Sequence, residues 1–222
     1  MRAAVVTFPG SNCDDDTVYA LNRFAGFQTD RIWHKERPSL GEHQLVVLPG
    51  GFSYGDYLRC GAIASLSPVM QSVKEFADRG GLVLGICNGF QILCESRLLP
   101  GTLTMNETQS FICRDVDLVT TAARAPWTSA MKDSETVRFP IAHGDGRSWI
   151  DEEGLARLQS GRQILFTYKQ NPNGSTADIA GICNEKGNVF GLMPHPERAT
   201  ELRGQHGMKL WNSITQALKG AA

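Results

Sequence analysis

No stretch of this 222-residue chain approaches the apolar length needed to span a bilayer. The amino terminus, Met1 to Phe8, is too short for a secretion signal and reads directly as a first core strand. Neither sign of charge is in excess: 22 Lys and Arg stand against 23 Asp and Glu, so neither nucleic acid nor an anionic membrane is expected as a partner. The six cysteines, at 13, 60, 87, 94, 113 and 183, lack paired short spacings. That argues against a zinc knuckle or a disulfide framework, and free thiols in the cytoplasm are the expectation. No short His, Cys or Asp ligand spacing appears, so no metal site is expected. No run rich in Pro, Gly or Ser marks a linker, and residues 1–222 read as a single domain with enough apolar sequence, 41% of the chain, for a substantial core.

What is present centres on Leu82-Val83-Leu84-Gly85-Ile86-Cys87-Asn88-Gly89-Phe90-Gln91-Ile92-Leu93. A continuous apolar run reads as a strand buried in a parallel sheet, and Phe90, Leu93 and Leu98 then recur at amphipathic-helix spacing. Cys87 falls on the turn between them, between Gly85 and Gly89. This is the pattern of a nucleophile elbow, which lifts a reactive side chain above the carboxyl edge of a sheet. The helix N-terminus favours thiolate there, and the Asn88 N–H is free to receive a developing oxyanion. A buried structural cysteine is the plainer alternative.

The rest of the first half fits the same plan. Ala3–Phe8, Thr29–Trp33 and Gln44–Leu48 read as strands, and helices are expected from one of Asp14, Asp15 or Asp16 to about Ala25 and over Ser67–Asp78. Four strand–helix alternations to about residue 97 argue a flavodoxin-like, doubly wound, mainly parallel α/β sheet. Gly10-Ser11-Asn12 could hold a phosphate, but three aspartates follow and a turn shaping the edge of a site fits better. In Pro49-Gly50-Gly51-Phe52 the adjacent glycines let backbone approach a ligand, so the N–H of Gly51 or Phe52 is a second oxyanion donor to pair with Asn88. After Pro100-Gly101 the pattern becomes mostly strands: Phe111–Thr121, Thr136–Ala142, Gln163–Tyr168, Ala177–Cys183 and Val189–Met193. Turn residues separate them, which predicts an antiparallel extension in the C-terminal half. Only Asp151–Ser160 and Gly207–Leu218 look helical there.

The last of these strands runs into Pro194-His195-Pro196-Glu197. Prolines on both sides bias His195 toward extended backbone, where residues two apart project to the same side. Glu197 can then hold one imidazole nitrogen while the other faces a nucleophile, so Cys87, His195 and Glu197 make a candidate triad for acyl transfer. His143, at a strand end in Ala142-His143-Gly144-Asp145-Gly146, either touches a substrate or serves the turn. His34, His43 and His206 lie in polar surroundings and read as solvated.

Gly85-Ile86-Cys87-Asn88-Gly89-Phe90-Gln91 with Pro194-His195-Pro196-Glu197 resembles the triad-type, or class I, glutamine amidotransferases. Phe8–Asp14 and the long run Pro49–Ala64 are similar to one branch of them, glutaminase subunits of purine biosynthesis, and the likeness continues through Phe111–Arg114, Ala142–Gly146 and Asp178–Gly181 to the last helix. The resemblance implies attack of the Cys87 thiolate on glutamine, proton relay by His195 oriented by Glu197, and a thioester that water hydrolyses to glutamate. Gln91, four residues past the nucleophile, resembles a family residue that contacts the substrate. It also implies that ammonia passes to a separate synthetase subunit, which uses ATP and Mg to convert formylglycinamide ribonucleotide to its amidine, with a small accessory subunit in the complex. This chain has no ATP-binding or phosphate-cradling motif, and no cofactor of its own is expected. A stand-alone γ-glutamyl or peptide hydrolase and a flavodoxin-like nucleotide-binding module are the rival readings.

Overall fold

The computed structural model describes residues 1–121, 123–201 and 203–220, with only the backbone of Arg203. The first half builds strands β1 (Arg2–Thr7), β2 (Gln28–Trp33), β3 (Leu45–Leu48) and β4 (Leu82–Ile86), with helices α1 (Asp14–Arg23), α2 (Val69–Asp78) and α3 (Asn88–Glu95). The second half adds β5 (Thr102–Thr104), β6 (Ile112–Thr120), β7 (Thr136–His143), β8 (Arg147–Trp149), α4 (Glu152–Ser160), β9 (Ile164–Tyr168), β10 (Ile179–Cys183), β11 (Val189–Leu192) and α5 (Gly207–Gly220).

Nine of these strands form one sheet in the order β2-β1-β3-β4-β11-β10-β9-β6-β7, while β5 and β8 pair separately. β2, β1, β3, β4 and β11 run parallel, in the flavodoxin order with β11 taking the fifth place. From β11 onward each pairing is antiparallel. The expected doubly wound sheet with an antiparallel extension is therefore the architecture found. Side-chain burial explains the division. Ala3–Val6 in β1 and all of β3 are closed to solvent on both faces, as a sheet covered by helices demands. In β6 and β7, by contrast, Val116, Leu118 and Thr120 and Val137, Phe139 and Ile141 alternate with more exposed residues.

Two sequence expectations differ from the fold. The connection from β2 to β3, residues 34–44, contains turns and no helix, so the alternation of strand and helix is broken there. The β5–β8 ribbon was not expected, since three-residue strands carry too little pattern to be read. An apolar cluster extending from Ala3 in β1 to Ile214 in α5 joins the parallel and antiparallel parts.

Candidate active site

The carboxyl edge of the parallel strands gathers the residues that the sequence singled out. β4 ends at Ile86 and α3 begins at Asn88, so Cys87 alone makes the turn, at φ 52° and ψ −107°. Such a left-handed conformation costs a non-glycine residue about 1–3 kcal/mol and persists only where its surroundings enforce it. Here the Cys87 N–H donates to Leu192 of β11 at 2.8 Å, while its carbonyl accepts from the N–H groups of Phe90 and Gln91 at 2.9 and 3.2 Å. The Asn88 N–H lies in the helix's first turn, where no intrahelical acceptor exists. Gly89 lets the helix sit directly on β3: a Cβ there would lie 1.9 Å from the Leu48 carbonyl oxygen.

Sheet register brings in the histidine. β11 lies beside β4 with Gly191 opposite Gly85 and Leu192 opposite Ile86, so Pro194-His195 leaves the sheet next to Cys87. His195 Nδ1 hydrogen-bonds Glu197 Oε1 at 2.6 Å, and both side chains are shut away from water. The pairing arises differently from the extended geometry expected: Pro196–Ala199 form a single 3-10 turn, with His195 at its N-cap position and Glu197 in its first turn. Burial alone would lower the imidazole pKa. The Glu197 carboxylate and the Cys87 and Cys13 thiols, both within hydrogen-bonding reach of the ring, outweigh that cost and raise it well above the usual value. The Cys87 thiol also faces the Ala142 carbonyl at 3.8 Å.

Of the two expected donors after β3, Phe52 is already engaged, its N–H donating to the Gly10 carbonyl at 2.9 Å. That bond belongs to the Ser11–Gly51 bridge tying the loop after β1 to the loop after β3. That leaves the Gly51 N–H as the candidate to partner Asn88, and a Cβ on Gly51 would lie 2.7 Å from the Ser11 Cα. The Gly10–Asn12 turn shapes this edge of the site, the reading preferred over a phosphate cradle.

Gln91 is buried, with Oε1 accepting from Asn88 Nδ2 at 2.8 Å and Nε2 donating to the Asp145 carbonyl at 2.6 Å. It ties the elbow to the wall after β7. His143, on the buried face of β7, pairs its Nδ1 with Asn106 Oδ1 at 3.1 Å. Asn106 Nδ2 donates to the Ser110 and His143 carbonyls, so Oδ1 is an acceptor and His143 Nδ1 carries the proton. Its buried Nε2 has no protein partner and offers a lone pair. Burial, reinforced by the neighbouring His195 charge, lowers the His143 pKa to about 4.

This gives a stability prediction with a definite sign. The unfolded chain binds a proton at His143 below its ordinary value of 6.5 and the folded chain only below about 4, so stability rises with pH across that window. Acidification from 6.5 to 4 costs about 3 kcal/mol from this group. Denaturant unfolding across that range should show a shallower pH slope for His143→Gln than for the unsubstituted chain; an identical slope contradicts the assignment.

Three histidines read as solvated are corrected. His34 is 3% exposed, with Nδ1 bonded to the Tyr54 hydroxyl at 2.8 Å. The His43 side chain is covered and pairs with Asp30 at 2.9 Å, and His206 Nδ1 accepts the Arg138 N–H at 2.7 Å. Each fills a packing role between elements remote in sequence. Cys13 and Asn106 are the site residues that sequence reasoning did not single out. For Cys13 the available signal was its place in the loop at the carboxyl end of β1, the same sheet edge as the elbow.

A cysteine elbow on a strand of this sheet order, facing a His–Glu pair from a neighbouring strand, is the arrangement of the triad glutamine amidotransferases. Residues 1–216 match the family described as the CobB/CobQ-like glutamine amidotransferase domain, and the chain belongs to it. Over 99% of its length the chain is 53% identical to the phosphoribosylformylglycinamidine synthase subunit PurQ of Alkaliphilus metalliredigens, covering 98% of that protein. Over both full lengths it is 51% identical to the PurQ of a Jannaschia species. Among solved structures, a chain of PurLQS from Thermotoga maritima superposes with a TM-score of 0.89 at 45% identity, with 98% of each chain covered.

Proposed function

We propose that this chain is the glutaminase subunit of a phosphoribosylformylglycinamidine synthase, acting as a single domain. The observation that carries the chemistry is the buried His195–Glu197 pair, 2.6 Å apart, beside a cysteine held at positive φ on an elbow. The Cys87 thiolate attacks the side-chain carbonyl carbon of glutamine. Gly51 and Asn88 N–H groups receive the oxyanion, and His195 delivers a proton to the departing ammonia while Glu197 holds its ring. Water then attacks the thioester and glutamate leaves. Gln91 and His143 form the wall against which the rest of the substrate glutamine lies.

The family relatives are subunits of a larger synthase, and the same assembly accounts for features of this chain. Ammonia goes to a synthetase subunit that uses ATP and Mg, with a small accessory subunit alongside, and this chain holds no cofactor itself. Exposed apolar side chains cluster on the loop that carries Gly51: Tyr57 and Leu58 stand out in solvent, and Phe52 packs against the exposed Phe111 at 6.3 Å between ring centroids. Apolar surface at the rim of a site suits a protein partner. No helix among the described residues is long and apolar enough to cross a membrane, and the cytoplasm is the compartment that fits.

Incubation with the glutamine analogue diazo-oxo-norleucine, followed by peptide mass spectrometry, tests the site directly. The adduct is expected on Cys87 alone and should be suppressed by excess glutamine. An adduct distributed over the other cysteines, or none in the assembled complex, would falsify the assignment.

A further inference from the structure

We propose that the hydroxyl of Tyr168 holds and aims the water that hydrolyses the Cys87 thioester. β9 points the same way as β4 and β11, since two antiparallel pairings, β11 with β10 and β10 with β9, lie between. Its last residue, Tyr168, therefore reaches the sheet edge that carries the elbow. Residues two apart on a strand share a face, so Tyr168 follows Phe166, whose ring packs against Phe139 and Phe190, each at 6.1 Å between centroids. Tyr168 thus tops this aromatic layer, one step nearer the elbow. The far end of the sheet also comes back to the same place. The His195 N–H donates to the Pro140 carbonyl of β7 at 2.9 Å, and Ala142 of that strand turns its carbonyl to the Cys87 thiol at 3.8 Å.

Tyr168 is 3% exposed, and its hydroxyl is buried without a hydrogen bond of good geometry to any described residue. Asn173 lies beside it but turns its Oδ1 to the Ser175 N–H and hydroxyl, at 3.1 and 2.8 Å, so it offers the phenol an N–H and no acceptor. The phenol's own hydrogen is left over. A buried donor without an acceptor destabilises a fold and is rare unless something else completes it. Burial first, and then the charge on Cys87, push the Tyr168 pKa up, so the group stays a neutral donor. It lies close enough to feel the sulfur without bonding to it. A water between them accepts from Tyr168 and gives its protons to the Ala142 carbonyl and to His195 Nε2, partners enough to hold it. By this stage His195 has handed its proton to ammonia. The water oxygen bonds to the thioester carbon, one water proton passes to His195 Nε2, and the carbon–sulfur bond breaks with its electron pair returning to Cys87. This role rests on the thioester chemistry proposed above.

Tyr168→Phe in the assembled complex keeps the ring and removes the donor. Glutamine-dependent turnover should fall about tenfold, the scale of one lost hydrogen bond at a reacting group. KM for glutamine should fall with it, and acid-quenched samples should carry more glutamyl thioester on Cys87 by mass spectrometry, because only the second step is slowed. Labelling of Cys87 by diazo-oxo-norleucine uses no water and should keep its rate within about twofold. The melting temperature should hold or rise, since the unsatisfied hydroxyl is gone. Unchanged turnover, or slower turnover without a rise in thioester, overturns the role of Tyr168. Labelling slowed in step with turnover overturns it as well, and places the phenol in the attack on glutamine. Absence of label from Cys87 in the unsubstituted complex would instead overturn the triad itself.

Discussion

Replacing Cys87 with alanine abolishes glutamine-dependent synthesis by the assembled complex, lowering it by about 10⁴-fold or more, the scale on which loss of a triad nucleophile acts. Synthesis supplied with free ammonia continues, because ammonia bypasses the elbow. The fold gives reason to expect this separation. Alanine retains the Cβ of Cys87, and the contacts that fix the elbow, the N–H bond to Leu192 and the carbonyl bonds from Phe90 and Gln91, are all backbone. The 5% exposure of Cys87 means that only a small buried sulfur is lost, a change the core tolerates at modest cost. Rates with ammonia therefore measure assembly, and rates with glutamine measure the nucleophile. Turnover of glutamine within tenfold of the unsubstituted complex would remove Cys87 from the chemistry.

Gly89→Ala produces the second large effect, without touching any group that reacts. Its added carbon would have to occupy a point 1.9 Å from the Leu48 oxygen and 2.7 Å from the Leu48 carbonyl carbon. Both are backbone atoms of a central strand, so α3 must rise from the sheet. Overpacking of this kind costs about 1–3 kcal/mol and sometimes more, and the helix that moves carries the Asn88 N–H and the anchor of Cys87. A misplacement near 1 Å at reacting groups lowers rates about 10²-fold. Expected together are a lower denaturation midpoint and a slower reaction with diazo-oxo-norleucine at Cys87. A variant with unchanged labelling rate and unchanged midpoint would mean that the helix seat on β3 is loose.

These two residues were legible because their signals are local. An apolar strand, a cysteine and flanking glycines lie within a dozen positions, and Pro194-His195-Pro196-Glu197, a surface pair if it stood alone, takes its meaning from that elbow. The inner parallel strands β1, β3, β4 and β11 were legible as apolar runs, since burial on both faces leaves little place for polar residues. What escaped depends on neighbours. That β11 lies against β4, and so carries His195 to the elbow, is a matter of strand order that no window of sequence contains. The choice between Gly51 and Phe52 turns on a carbonyl at Gly10, forty residues away. His34 looks solvated among Trp33, Lys35 and Glu36, yet the end of β2 points it under Tyr54. The extended reading of His195–Glu197 gave the right pair through the wrong backbone, because the proline between them suits a 3-10 turn as well as a strand.

Strand order has a further consequence during synthesis of the chain on the ribosome. β4 needs β3 on one side and β11 on the other, yet β11 emerges roughly a hundred residues after β4, some 5–20 s later at elongation rates of about 5–20 residues per second. Throughout that interval the hydrogen-bonding groups along one flank of β4 have no permanent mate, the condition that invites pairing with a foreign strand. On the proposed mechanism the same delay keeps the nascent polypeptide chemically mute: Cys87 is translated about a hundred residues before His195, so ammonia release waits until β11 has joined the sheet.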